Sequence, residues 1–249
     1  MAECLLDIKK LCTSYDESMV LKEIDLSVYK GEVLCIVGES GSGKSTLIKA
    51  ICEDKSVRVN EGSVMFKGSH CGHKLLGSSI GLVQQNPEGA FNPLRSFDVQ
   101  FAETLKSHKR EPDKEKLAAI FSTLGLKDTD KLLKMRPYEL SGGMNQRMAI
   151  AASLLLNPEL LLCDEITSAL DVSTAIAVVD ELLRLRREFG VTIVFVTHNL
   201  GIAANIADRV AIMYQGKIVE IGDAKDVLTN PKHEYTKGLL RDVPRLKAM

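Results

Sequence analysis

Glycine, lysine and serine come together in Gly38-Glu39-Ser40-Gly41-Ser42-Gly43-Lys44-Ser45-Thr46, a spacing suited to holding one triphosphate. Glycines at 38, 41 and 43 are expected to curl the main chain through positive φ and bring it close to phosphate oxygens with no Cβ in the way. Lys44 is spaced to reach the β and γ phosphates, and Ser45 offers its hydroxyl to Mg²⁺. Glycine-rich turns also join strands to helices without any ligand, but the Lys-Ser pair favours the phosphate reading. A second set of chemistry-bearing residues follows apolar runs. Asp164-Glu165 closes Leu160-Leu161-Leu162-Cys163, and two adjacent acids there are costly unless something positive meets them. Asp164 suits Mg²⁺ held through water, and Glu165 suits the general base for a water attacking the γ-phosphate. Gln85 and His198 follow the runs Ile80–Val83 and Val191–Thr197. Strand ends of this kind are where parallel sheets place ligands. Taken singly His198 reads as structural; beside the other three groups it reads as part of a site.

These residues need a particular set of elements behind them. Val33-Leu34-Cys35-Ile36-Val37 is continuously apolar, as a strand buried on both faces requires, and Leu47, Ile48 and Ile51 fall at helical spacing from Lys44 to Cys52. Strand, glycine loop and helix N-terminus in that order aim backbone N–H groups at one anion. Leu5–Tyr15 and Met19–Tyr29 suggest a small antiparallel sheet, with Leu26 and Val28 on one face and Val64–Phe66 as a short later strand. Tyr15 at a strand end is either a strand aromatic or a platform for an adenine ring. Residues 87–157 turn to helical periods: Leu117, Ile120, Phe121 and Leu124 share a face between Pro112 and Gly125. Ser141-Gly142-Gly143 opens another helix, which Asn157-Pro158 ends. Ser141 is an N-cap on one reading; on the other, two poor helix formers after it mark a second phosphate-facing terminus. A helix from about Thr174 to Phe189, a hairpin over Val210–Tyr214 and Lys217–Ile221, a short helix over Ala224–Thr229 and a polar tail complete the chain.

Composition narrows the class. The chain's 249 residues suffice for one α/β domain with an inserted subdomain, and a formal net charge of -1 gives no reason to expect a nucleic-acid partner. No run approaches the roughly 20 apolar residues that span a bilayer, and acids stand near the N-terminus where a signal peptide carries bases, so a cytosolic chain is expected. The six cysteines show no paired spacing and read as reduced core thiols. His70-Cys71-Gly72-His73 offers three metal-ligand types, one short of a closed structural zinc site, within a glycine-rich surface connection.

The order Tyr15, Gly38 to Thr46, Gln85, Leu140-Ser141-Gly142-Gly143, Asp164-Glu165, Asp171 and His198 resembles the ATPase subunit of ABC transporters over nearly the whole chain. Leu-Ser-Gly-Gly shortly before an Asp-Glu strand carries most of that resemblance. It implies a P-loop NTPase, RecA-like parallel core with an N-terminal antiparallel β subdomain and an inserted helical subdomain. The core would take residues 1–86 and 158–225, the helical subdomain 87–157 and a tail 226–249. It also implies a head-to-tail dimer in which the partner's Ser141, Gly142 and Gly143 close over ATP bound at Gly38, Glu39, Ser40, Gly41, Ser42, Gly43, Lys44, Ser45 and Thr46. On that pattern Tyr15 stacks on adenine, Gln85 senses Mg²⁺ beside Ser45 and Asp164, Asp171 joins the subunits, and His198 contacts the γ-phosphate. Met144, Gln85-Asn86-Pro87, Ala90-Phe91-Asn92-Pro93 and the ending Asn230-Pro231-Lys232-His233-Glu234-Tyr235-Thr236 are similar to the peptide and nickel importer branch, the wording leaning to its nickel members. Met144, Ile166 and Asn199 depart from the general pattern without removing a catalytic group, and no iron–sulfur cluster is expected because no cysteine follows Cys163.

The function so implied is ATP hydrolysis that powers an importer for nickel, another metal or oligopeptide. Its partners would be integral membrane permease subunits, a like or related ATPase and an extracytoplasmic substrate-binding protein, with the chain peripheral at the cytoplasmic face of the cell membrane. A soluble ABC ATPase clamping nucleic acid or ribosomes is the alternative, and it calls for long coiled-coil insertions or a second ATPase half, neither of which is present. A regulatory module that hydrolyses nothing is disfavoured by Glu165.

Overall fold

The computed structural model of the chain describes residues 3–242, leaving aside the side chains of Glu88 and Asp242. In chain order the strands are β1 (Cys4–Tyr15), β2 (Ser18–Tyr29), β3 (Val33–Val37), β4 (Arg58–Phe66), β5 (Ser69–His70), β6 (Ile80–Val83), β7 (Leu160–Asp164), β8 (Thr192–Thr197), β9 (Arg209–Tyr214) and β10 (Lys217–Asp223). The helices are α1 (Lys44–Ile51), α2 (Phe97–Ser107), α3 (Lys114–Thr123), α4 (Thr129–Lys134), α5 (Gly142–Leu154), α6 (Val172–Phe189), α7 (Leu200–Ile206), α8 (Ala224–Thr229) and α9 (Glu234–Asp242). They fall into two compact units, one running to His73 and resuming at Val194, the other spanning Lys74–Ile193.

In the first unit β1 pairs antiparallel with both β2 and β4, Ile8 lying opposite Leu26 on one side and Val64 on the other. Leu26 and Val28 are both buried, as their alternation requires. Strand β3 is buried at every position and runs parallel to β9, Cys35 opposite Val210. β9 turns into β10 through Gln215 and Gly216, whose φ values of 48° and 81° give the left-handed corner that suits a tight hairpin. Strand β4 is longer than the apolar triplet Val64–Phe66 indicates. Its first residues are exposed and mostly polar, yet Arg58 and Val59 pair with Ser14 and Thr13, so backbone bonding extends the strand where side chains give no alternating signal. Helix α9 lies in what reads as a polar tail; Thr236 is its one buried residue among those described, and residues 243–249 of that tail lie outside the described residues.

In the second unit β6 and β7 are parallel, with Ile80 opposite Leu160 and Val83 opposite Cys163. The helical stretch expected over 87–157 holds α2 to α5. Phe91, Phe97, Phe101 and Phe121 form its aromatic core, with edge-on ring pairs 4.9 to 6.5 Å apart. Helix α3 starts at Lys114 because the Asp113 carboxylate accepts from the Lys116 N–H, and α6 starts at Val172, ahead of the expected Thr174, because Asp171 caps it. Gly190, left-handed at φ 67°, ends α6 where the sequence predicts.

Five cysteines are buried, but Cys4 is exposed, which corrects the expectation of six core thiols. Among the described residues no helix is long and apolar enough to cross a membrane.

Candidate functional site

In the first unit the loop Gly38–Thr46 connects β3 to α1. Gly43 is the left-handed N-cap residue of α1 at φ 106°, and Gly41 is left-handed at 81°. Gly38 does not have the expected positive φ. Glycine is required there for space, because a Cβ would stand 2.2 Å from the Met213 carbonyl oxygen of β9. Lys44 is buried, and its ammonium donates to Gly38 O at 2.8 Å and Glu39 O at 2.9 Å. The buried Ser42 hydroxyl has no hydrogen-bond partner, and nothing lies within 4 Å of where a Cβ on Gly41 would be. A cradle with a buried ammonium and an unsatisfied hydroxyl fits an oxyanion, since a buried hydroxyl is rarely left unpaired without a ligand. The loop is fixed from outside: Gly216 N–H donates to Ser42 O (3.0 Å), and Lys22 N–H donates to Gly216 O (2.8 Å).

Two other expected residues share this unit. Tyr15 is half-buried at the end of β1, with the Lys49 ammonium 5.5 Å from its ring centre. His198 is exposed just beyond β8. Asn199 after it caps α7, its side-chain oxygen accepting from Gly201 N–H (2.9 Å) and Ile202 N–H (3.2 Å). That local bond gives the asparagine a structural reason.

In the second unit Gln85 follows β6, and Asp164-Glu165 stands at the end of the neighbouring strand β7. The Gln85 amide donates to the Ser168 hydroxyl at 3.0 Å, and that hydroxyl donates to Glu165 O at 2.9 Å. Ser168 therefore ties the glutamine to the backbone of the acid. It follows Glu165 by three residues, a turn spacing, but its type alone gave no reason to single it out. Glu165 has φ 48°, a left-handed conformation uncommon for a side-chain-bearing residue and frequent at sites where geometry is imposed. Ile166, which departs from the general pattern, is buried in the core.

Ser141 is the N-cap of α5, its hydroxyl accepting from Met144 N–H at 3.3 Å, so the capping reading holds. The two glycines after it differ. A Cβ on Gly143 would press on Thr174 Cγ2 at 3.1 Å, whereas one on Gly142 would meet nothing within 4 Å. Gly143 thus has a packing reason on this chain, and Gly142 has none. Asp171 caps α6: its carboxylate accepts from Thr174 N–H (3.0 Å), Thr174 Oγ1 (2.7 Å) and Ser173 Oγ. Those bonds, the Ser173 hydroxyl first, hold its carboxyl below the ordinary range. The two helices are joined by an ion pair that sequence reasoning missed. Arg147 grips Glu181 through Nε and a terminal nitrogen at 2.8 to 3.0 Å, and Glu181 is 4% exposed. Arg147 stands four positions after Gly143 on α5, so this pair fixes the glycine turn relative to the helix that Asp171 caps. At the other end of α5 the Lys116 ammonium donates to Leu154 O at 3.0 Å, a cation at the negative end of the helix dipole.

Cys71 turns its thiol inward to Ile51 O at 3.3 Å, while His70 faces Glu53 (3.4 Å) and is exposed. Among the described residues no group of three or more His, Cys, Asp or Glu side chains converges to hold a metal ion.

The sequence family described as ABC transporter matches residues 21–168, and the one described as oligopeptide/dipeptide transporter, C-terminal region, matches residues 219–249. A protein of Brucella ovis named as a peptide import ATP-binding protein is 39% identical over 264 aligned residues, covering 97% of this chain and 78% of its own. The dipeptide transport ATP-binding protein DppD of Bacillus subtilis is 37% identical, over 91% of this chain and 71% of its own. Among solved structures, CbiO1 from Clostridium perfringens, described as part of the ABC transporter complex CbiONQ, superposes with a TM-score of 0.80 over 98% of this chain and 97% of its own at 24% identity, which shows a shared fold. On these matches the chain is similar in sequence to subunits named for peptide import, belongs to the ABC transporter ATPases and is an ATP-hydrolysing enzyme.

Proposed function

We propose that this ABC importer ATPase drives uptake of oligopeptides by closing head to tail over ATP with a second ATPase copy or a related chain, and by passing that motion to separate membrane permease subunits. The observation that carries the reading is the pairing in one chain of the loop Gly38–Thr46 with a second glycine turn, Ser141-Gly142-Gly143, in which Gly142 has an open backbone and no packing duty on its own chain. An open glycine at a helix N-terminus suits close approach of a phosphate. Residues 1–86 and 158–225 act as the nucleotide-binding core and 87–157 as the helical subdomain.

Within the site, Gly38 to Thr46 cradle the triphosphate, with Lys44 moving from its carbonyl partners to the β and γ phosphates. Tyr15 takes the adenine face. Ser45, Gln85 and Asp164 are oxygen donors of the hard type that suits Mg²⁺, which when bound neutralises phosphate charge. Glu165 accepts the proton of the attacking water, His198 contacts the γ-phosphate, and Asp171 meets the partner subunit. An extracytoplasmic substrate-binding protein delivers the cargo, and the chain works at the cytoplasmic face of the membrane. The relatives' names favour peptide over nickel, although the Gln85-Asn86-Pro87 and Ala90-Phe91-Asn92-Pro93 wording resembles nickel members. Uptake of labelled dipeptides against ⁶³Ni²⁺ by cells carrying the intact system, with and without this gene, separates the two cargoes.

The catalytic assignment is tested by Glu165→Gln. ATP binding is expected to survive and the mutant to accumulate as an ATP-bound dimer, while turnover drops by roughly 10²-fold or more, as loss of a general base requires. Unchanged turnover would remove Glu165 from that role.

A further inference from the structure

We propose that Tyr235, on the C-terminal helix α9, is a positioning residue for the phosphate loop. The proposal rests on the reading of Gly38–Thr46 as the ATP loop and adds a residue far from it in sequence.

The Tyr235 hydroxyl accepts a hydrogen bond from the Glu39 N–H at 3.2 Å. That N–H and the Gly38 carbonyl belong to one peptide unit, and the carbonyl accepts the Lys44 ammonium at 2.8 Å. A single peptide plane is therefore held at both poles, by a tyrosine on one side and by the ATP-binding lysine on the other. Because a peptide unit is rigid, fixing its N–H also fixes the direction of its carbonyl. The Tyr235 ring is itself anchored. It stacks on Tyr214 at the end of β9, with ring centres 4.1 Å apart and planes at 29°, next to Met213, whose carbonyl leaves no room for a Cβ at Gly38. The segment leading to it is clasped by Glu220 of β10, whose two carboxylate oxygens accept from Lys232 N–H (2.8 Å) and His233 N–H (3.1 Å). The His233 Nδ1 then accepts from Tyr235 N–H at 3.2 Å. Glu220, His233, Tyr214 and Tyr235 thus form a continuous chain of contacts ending on the first peptide of the loop. All of it lies in the segment matched by the oligopeptide/dipeptide C-terminal family or in the strand beside it. Through its bond to the Glu39 N–H, the phenol acts on the shape of the loop before ATP arrives.

A loop whose first peptide is already oriented loses less freedom on binding than one left to rotate. Tyr235→Phe keeps the stacked ring and removes the hydroxyl. In the full-length chain it is expected to raise the KM for Mg·ATP and the Kd for a fluorescent ATP analogue by roughly two- to ten-fold, the range an ordering cost of that size gives. kcat at saturating ATP stays unchanged, and the Glu39 amide exchanges hydrogen faster in the nucleotide-free protein. A KM and Glu39 exchange rate equal to wild type, or a fall in kcat with KM unchanged, would overturn the proposal. Lys44→Ala is run beside it. If Lys44→Ala abolishes ATP binding while Tyr235→Phe behaves as wild type, only the role of Tyr235 fails; if Lys44→Ala binds ATP as wild type does, the phosphate-loop reading and the proposal fall together.

Discussion

The Arg147–Glu181 pair can be put to a quantitative test, because both its burial and its geometry are well defined. Glu181 is 4% exposed, the Arg147 side chain 20%, and three N–H···O contacts of 2.8 to 3.0 Å join them. Substituting Glu181 by Gln leaves a largely buried guanidinium facing a neutral amide. Breaking such a pair from one side costs about 3–5 kcal/mol, and the partial exposure of Arg147 places this case near the lower figure. At about 2–4 °C per kcal/mol for a chain of this size, the apparent Tm should fall by roughly 6–12 °C. Arg147→Met alone should cost a similar amount by stranding the carboxylate. The double variant Arg147→Met/Glu181→Leu should recover most of the loss, since an apolar pair of similar volume replaces both charges. Thermal and urea unfolding of wild type, Arg147→Met, Glu181→Leu and the double variant gives the coupling energy directly. Single variants within about 1 kcal/mol of wild type would refute the argument and reduce the pair to the value of an exposed one. ATPase activity adds a functional arm: if the pair holds the glycine turn of α5 against the helix capped by Asp171, the Arg147→Met/Glu181→Leu protein should regain stability without regaining full turnover.

Two other expectations are simpler. Gly142→Ala introduces a Cβ with nothing within 4 Å, so the variant should unfold at or slightly above the wild-type temperature, yet lose most of its ATP turnover because the methyl blocks the phosphate's approach; full activity would leave that glycine without a ligand role. A thiol reagent applied to the folded protein near pH 8 should modify Cys4 alone, and Cys4→Ser should abolish fast labelling. The remaining thiols are buried, and desolvation, with a smaller push from Glu53, raises Cys71 to about 11, so it stays protonated there; rapid loss of more than one thiol would contradict the burial pattern.

Much of this was legible from residue order, and the limits have physical causes. Apolar strands such as Val33–Val37 and Leu160–Cys163 announce themselves because burial on both faces demands unbroken hydrophobicity. The polar half of β4 and helix α9 do not, since backbone pairing sustains one and the contacts of Tyr235 and Glu220 hold the other. Glycine type was readable and its reason was not: Gly38 and Gly43 looked alike, but one serves a close approach to Met213 and the other a left-handed cap. The Arg147–Glu181 pair and the Gln85–Ser168–Glu165 chain join residues 34 and 83 positions apart, which no local pattern discloses.

The corner of the β9–β10 hairpin has a practical bearing on how this protein can be engineered. Hairpin tips are ordinarily safe places to open a chain, splice in a fluorescent reporter or add an epitope. Here Gly216 reaches back with both its amide and its carbonyl, a methyl on it would sit 1.9 Å from Val20 O, and its N–H steadies Ser42. Grafts belong instead in the exposed connection Arg110-Glu111-Pro112 between α2 and α3, where the backbone has no such duties toward the nucleotide.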